Sequence, residues 1–337
     1  MADRVLYFPY IRVPENDWFT RVLLYWDGVG SIVPSEYVGR QEKLGTYMNE
    51  LVADELVWPV APGDYTGRIP DFRKAFLELI DQNPVVAGRR GIALRRGETW
   101  RIHMEKSGDA LAEELYDRGL AKPAEYPWLE VERLTADLFM AYLASVLGKL
   151  ETLRMDPVTD HTDSLSVFSK SPEQVLGPVA LIDQLRMCVL EGILPAPAAG
   201  IPARELAGFK ERYAGLLPRF RRRVETFLIE ASQIPDKNLA DYRIRLFKDE
   251  LQDEIREIEA RMHERRWPRV VFGTLCGVFA AAVPGIQAVA TGDATPALTA
   301  LPGLVCAIYS AFKESPIQKE ILRSPLAYAA LARERLG

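Results

Sequence analysis

Across the first 130 residues, short apolar runs rich in aromatic and β-branched side chains alternate with segments whose apolar residues recur every three or four positions. That alternation leaves few folds open, because strands separated by single helices are joined most simply as a parallel sheet covered by those helices. Residues 4–13 read as a strand that Pro9 ends or places at an edge. Asn16 or Asp17 is positioned to cap a helix carrying Trp18, Val22, Tyr25 and Trp26, which Gly28 and Gly30 are expected to stop before a strand at 31–34. Helices are predicted over 47–55, 71–81 and 109–118, the last capped by Ser107, and strands over 56–60 and 99–105.

The character changes after about residue 130. A helix is predicted over 131–152, followed by a polar, turn-rich loop at 156–164 and a helix opened by Ser171-Pro172. The Pro- and Ala-rich run 194–202 reads as an elbow. Beyond it, long helices are expected over 203–233, kinked at Pro218, and 236–266, where Ile244, Phe247, Leu251, Ile255, Ile258 and Met262 form a coiled-coil-like seam. This seam is either one arm of an intramolecular hairpin or a surface for self-association or a protein partner. Residues 315–337 read as an amphipathic tail docked through Ile317, Ile321, Leu322, Leu326 and Tyr328.

The fold class is therefore an α/β N-terminal half, with βα repeats and a mainly parallel sheet, followed by an all-α C-terminal half. Three parts are expected: an α/β domain at 1–130, a helical connector at 131–201, and a helical domain at 202–337.

Residues 270–312 contain a single charged side chain, Asp293, and Val270–Gly292 is an uncharged run of 23 residues, enough to cross a bilayer as a helix. Two antiparallel helices, about 269–289 and 297–313, are expected with a turn at Gly292-Asp293. Arg265, Arg266 and Arg269 before it and Lys313 after it put the positive flanks on one side, as in a re-entering hairpin with a cytoplasmic body. The same abundance of small residues suits a hairpin packed inside a soluble helical domain. Both readings stand at this point. The start of the chain carries no cleavable signal peptide, so a cytoplasmic location, with membrane association through 270–312, is the expectation.

Charge narrows the partners. Residues 1–201 carry 21 basic and 30 acidic side chains, against 16 basic and 13 acidic over 202–269. An acidic front half argues against nucleic-acid binding there, since that affinity comes from neutralising phosphates. Cys188, Cys276 and Cys306 have no CxxC spacing, which excludes a cysteine zinc site. No phosphate loop, dinucleotide glycine fingerprint, HExxH or GxSxG occurs, and no cofactor is implied.

Three clusters remain as site candidates. Asp156, Asp160, His161 and Asp163 pair carboxylates with an imidazole, a set suited to acid–base work or a divalent metal. As an ordinary solvated loop, however, its aspartates would accept backbone amide hydrogen bonds and hold no metal. His103 and Lys106 stand at the end of a predicted strand, and with Tyr10, Ser35 and Glu36 after the first two strands they would share a cleft if the strand order allows. Arg219, Arg221, Arg222 and Arg223 form a basic knot for phosphate or anionic lipid, unless they pair within the helix, as Arg221 would with Glu225.

The Tyr7-Phe8-Pro9-Tyr10-Ile11 opening, Leu23-Leu24-Tyr25-Trp26-Asp27, Ile32-Val33-Pro34, the Pro157-Val158-Thr159-Asp160 loop and the Phe209…Phe220-Arg221 helix resemble an uncharacterised family of bacterial proteins of unknown function. The resemblance implies a bacterial, non-secreted protein and transfers no activity.

Two functions fit these signals. One is an interaction or effector protein, of the kind that serves bacterial stress or phage defence, whose α/β front binds a partner or ligand and whose helical half acts, at a membrane in one version. The alternative is a metal-dependent hydrolase or nuclease using the Asp156–Asp163 loop.

Overall fold

The computed structural model describes residues 3–89, 91–161, 177–197, 200–234, 236–263 and 321–337. Asp163, the Ser171 cap and the 270–312 hairpin lie outside these residues. The elements run β1 (Arg4–Tyr7), α1 (Asp17–Tyr25), β2 (Gly28–Ile32), α2 (Thr46–Ala53), β3 (Val57–Val60), α3 (Phe72–Asp81), β4 (Thr99–His103), α4 (Met104–Ser107) and α5 (Asp109–Asp117). They continue with β5 (Ala121–Pro123), β6 (Trp128–Glu132), α6 (Arg133–Gly148), β7 (Met155–Val158), α7 (Gly177–Glu191), α8 (Ala203–Tyr213), α9 (Leu217–Ser232), α10 (Lys237–His263) and α11 (Ala327–Leu336). A mainly parallel front followed by helices is therefore the architecture.

Four strands form a parallel sheet in the order β3-β2-β1-β7, with Arg4–Tyr7 of β1 facing Gly28–Ser31 on one side and Met155–Val158 on the other. Both faces are covered, which explains the continuous apolar runs. Alternation along β1 sends Val5 and Tyr7 into a core shared with α1 and the C-terminal helices, and Leu6 and Phe8 into a second core with α3 and α6. Asn16 caps α1 by accepting the Phe19 N–H at 2.9 Å.

Several expectations are corrected. Gly28 and Gly30 do not stop α1. They lie inside β2, because a Cβ at Gly28 would fall within the Trp58 ring and one at Gly30 would meet Met155 Sδ at 2.7 Å. The strand at 99 stops at His103, so Glu105 belongs to α4, and Ser107 donates to Met104 O instead of capping α5. β4 joins no parallel sheet: it pairs antiparallel with β6, which also pairs with β5. Asp156, Pro157 and Val158 belong to a strand, not a loop.

In the helical half, Pro218 sits in the first turn of α9, where its missing N–H is harmless, so α8 and α9 are separate helices and not one kinked helix. The α10 seam is internal, with Ile244, Phe247, Leu251, Ile255 and Ile258 buried and Phe227 of α9 stacked on Phe247. Of the tail, Ile317 lies outside the described residues, while Ile321, Leu326 and Tyr328 are buried and Leu322 packs on the same core, so the expected docking holds for them. Ala327, Tyr328, Ala329, Ala330 and Ala332 of α11 have no exposed surface, the alanines' small size letting α8, α9 and α10 close around it. No helix among the described residues is long and apolar enough to cross a membrane.

The two halves are joined at the C-terminal end of α1, whose last carbonyls lack intrahelical partners. Lys210 donates to Leu23 O, Trp26 O and Asp27 O at 2.6, 2.7 and 3.1 Å, Tyr328 to Leu24 O at 2.8 Å, and Arg221 to Tyr25 O at 2.7 Å. Two cations at a helix C-terminus are also favoured by its dipole. Beneath them, Glu225 accepts from Arg186 and from the Tyr25 hydroxyl, the latter at 2.7 Å.

Candidate functional site

The chain lays down β1, β2 and β3 in one direction and then returns to place β7 on the free side of β1. In open parallel sheets, crevices for ligands form outside the carboxyl ends of the strands where the order reverses. Here a cleft of about 570 Å³ opens at that point. The segments after β1 (Pro9–Arg12) and β7 (Asp160, His161) form one side; β4, Lys106, Trp128 of β6 and one face of α6 form the other.

The α6 face follows from helical spacing. Arg133, Ala136, Asp137 and Met140 recur at intervals of three, one and three, which lines them up along one stripe. Glu132, fully buried, caps the helix by accepting the Leu134 and Thr135 amides at 3.1 and 2.7 Å, and so fixes where Arg133 emerges. At the other end, a Cβ on Gly148 would lie 2.1 Å from Met155 O, so glycine lets α6 rest directly on β7.

Lys106 and Met140 belong to the buried part of the cleft. Lys106 is only 3% exposed, and its Nζ contacts Met140 Sδ at 4.0 Å. Burial lowers the amine from its ordinary 10.5 to about 7, opposed by the charge of Glu105. Glu105 itself is turned away: its carboxylate accepts the Ser35 N–H at 2.8 and 3.0 Å and the Ser35 hydroxyl at 2.6 Å. His103 is held beside it. Its Nε2 is 3.1 Å from Glu36 Oε1 and its Nδ1 accepts the Glu105 N–H at 3.3 Å, which assigns the proton to Nε2. Trp128 packs edge-on against the imidazole with centroids 5.2 Å apart.

Across the cleft, the Tyr7 hydroxyl donates to Asp160 Oδ1 at 3.1 Å, tying the ends of β1 and β7 together. Burial and the adjacent Asp160 carboxylate push the Tyr7 phenol up, so it stays a donor. Burial, then Asp160 and Asp137, raise Tyr10 as well. His161 has its amide bound to Thr159 Oγ1 at 3.0 Å and its ring edge-on to Tyr10 at 5.0 Å. At the rim, Arg133 lies over Trp100 at 5.7 Å and Arg101 over Trp128 at 5.4 Å, both arginines exposed.

The two separate sequence clusters thus meet: His103, Lys106 and Tyr10 face the same cleft as Asp160 and His161. Ser35 and Glu36 do not line it; they stand behind, holding Glu105 and His103. Asp156 is in β7 and does not line it either, while Asp163 is outside the described residues. Asp160 accepts the Tyr7 hydroxyl, because pairing of β7 with β1 brings that phenol to it; the expectation that Asp160 or Asp163 accepts backbone amides falls in part on Asp163, outside the described residues. Among the described residues no three His, Cys, Asp or Glu side chains are grouped to hold a metal ion. Trp100 and Trp128 carry no local mark of a site, whereas the stripe at 133, 136, 137 and 140 is the sequence signal for the α6 contribution, Arg133 and Met140 included.

The arginine knot is largely engaged within the chain. Arg221 binds Asp3 and Asp27 as well as Tyr25 O, Arg219 reaches Leu322 O at 3.3 Å, and Arg223 lies 3.8 Å from Glu254 and over Phe247. Arg222 is exposed. The expected Arg221–Glu225 pair does not form, since Glu225 faces Arg186 and Tyr25.

With three arginines (Arg12, Arg101, Arg133), two carboxylates (Asp137, Asp160) and four aromatic rings (Tyr10, Tyr37, Trp100, Trp128) lining one concavity beside the buried Lys106 amine, the lining can pair with a negative group and stack on a planar ring. No protein-family model, no curated protein and no solved structure matches this chain.

Proposed function

We propose that the protein is a ligand-responsive interaction or effector protein, whose α/β front takes up a small anionic molecule with a planar ring and whose helical half responds. The observation that carries this reading is the cleft itself, at the reversal point of the sheet, with a cation-rich aromatic lining. A route for a response also exists. Tyr7 touches the cleft residue Asp160 and packs against Phe19 of α1, whose far end is gripped by Lys210, Arg221 and Tyr328 of the helical half. Calorimetric titration with aromatic carboxylates and nucleoside monophosphates tests the reading, with neutral analogues as controls. Saturable binding of the anions, lost in Arg133→Ala, supports it; no binding across the set removes it.

Action at a membrane is the part of this reading that rests on the 270–312 sequence alone. Flotation of the full chain with liposomes tests it: co-flotation abolished by deleting 270–312 supports it, and a protein left at the bottom of the gradient removes it. The hydrolase reading is favoured by one observation, the neighbouring Asp160 and His161 side chains, 3.9 Å apart in the cleft. Phosphodiesterase activity that requires Mg²⁺ or Mn²⁺ and disappears in Asp160→Ala and His161→Ala would establish it in place of the first.

A further inference from the structure

We infer that Lys106 is a nucleophilic amine that captures the carbonyl carbon of an anionic aldehyde or keto acid as an imine inside this cleft. The inference rests on the cleft being a ligand site and adds the chemical class of the ligand.

Among the described residues, Lys106 and Lys210 differ in what their amines meet. Burial lowers the Lys210 amine to about 7 as well, but its three N–H bonds go to three backbone carbonyls at 2.6–3.1 Å, a set that the ammonium form alone can satisfy. Lys106 is the more deeply buried of the two, yet its polar contact is a thioether at 4.0 Å. A sulfur acceptor at that range does little for a charge, and the neighbouring carboxylate that would make an ion pair, Glu105, is committed to Ser35. An ammonium so placed bears most of its desolvation cost uncompensated, which favours the neutral amine with its lone pair free. The amine lines the cleft and is positioned rigidly: the Met104 N–H donates to Pro127 O at 2.8 Å, fastening the short helix that carries Lys106 to the start of β6. Desolvated lysines in apolar surroundings are the form in which this side chain acts as a nucleophile.

The step balances without a redox partner. The Nζ lone pair forms a bond to the carbonyl carbon while the C=O π pair moves to oxygen, giving a carbinolamine after proton transfer from nitrogen to oxygen. Loss of the hydroxyl as water, with the second amine proton, leaves the C=N bond. Arg133, Arg101 and Arg12, which line the same cleft, supply charge for the ligand's carboxylate or phosphate.

The test uses the full chain and two isosteric probes, 4-formylbenzoate and 4-(hydroxymethyl)benzoate, which share a planar ring and a carboxylate and differ in the carbonyl. Binding of the alcohol is measured by calorimetry; imine formation is trapped with cyanoborohydride at pH 7 and mapped by peptide mass spectrometry. The expected result is saturable binding of the alcohol and reductive alkylation of Lys106 at least about tenfold faster than of any of the other ten lysines. Lys106→Met should lose the fast-modified site while the remaining lysines are alkylated at their unchanged, slower rates. Binding of the alcohol with Lys106 alkylated no faster than exposed lysines overturns the imine and leaves the cleft standing. Failure of both probes to bind, with no selective alkylation, overturns the imine together with the ligand site on which it rests.

Discussion

Replacing Lys106 with methionine removes the amine and keeps an unbranched side chain of similar length beside Met140. The wild-type amine is lowered from 10.5 to about 7 by burial, and each tenfold change in affinity for the proton is about 1.4 kcal/mol. Between those two pH values the unfolded chain holds a proton that the folded chain lacks. Wild-type stability therefore rises with pH across that window, and below pH 7 it carries the whole cost, roughly 4–5 kcal/mol. The methionine variant carries none of it. Urea unfolding at pH 6.5, 8 and 10 should show Lys106→Met more stable than wild type by several kcal/mol at the lowest pH, by about 3 kcal/mol at pH 8, and by less than about 1 kcal/mol at pH 10. A variant that is destabilised at pH 6.5, or whose advantage is the same at all three values, would show that the amine is satisfied in a way the geometry does not contain.

Other substitutions probe the supports of the site. Gly148→Ala forces a methyl against the Met155 carbonyl and should lower stability by about 2–3 kcal/mol, read from urea midpoints, and weaken ligand binding by displacing β7. Arg186→Met leaves the Glu225 carboxylate half-buried with only the Tyr25 hydroxyl of its former partners and should cost about 3 kcal/mol, measurable by thermal unfolding at pH 7. Glu105→Gln removes a carboxylate that raises the Lys106 amine, so the midpoint of the pH profile for Lys106 alkylation should move downward. Tyr7→Phe removes the hydroxyl that ties β1 to β7 and should cost about 1 kcal/mol in stability at neutral pH.

The parallel front was legible in sequence because strands buried on both faces are dense in β-branched and aromatic residues, and the helices between them carry one apolar stripe. The second sheet was not. β5 is three residues long and includes a proline, and Leu129 and Val131 of β6 merge with the apolar pattern of α6 that follows. Gly28 and Gly30 misled for a related reason: their role is to admit Trp58 and Met155 from other elements, and such tertiary demands leave no local mark. Half of the site was visible as strand ends, namely Tyr10, His103 and Lys106. Its union with Asp160 and His161 depends on β7 pairing with β1 across some 150 residues of chain, and no local pattern encodes which edge of a sheet a returning strand will join. The arginine knot shows the converse, a conspicuous sequence cluster whose members the fold mostly employs to fasten helices together.

The measurement closest to the central claim is a calorimetric titration of the full-length protein with 4-(hydroxymethyl)benzoate and its uncharged amide, repeated on Arg133→Ala and Trp100→Ala. The cleft described here predicts saturable binding of the carboxylate, no measurable binding of the amide, and a loss of affinity of roughly tenfold or more in each variant. Binding that both variants retain unchanged, or no binding of the carboxylate at all, would contradict it.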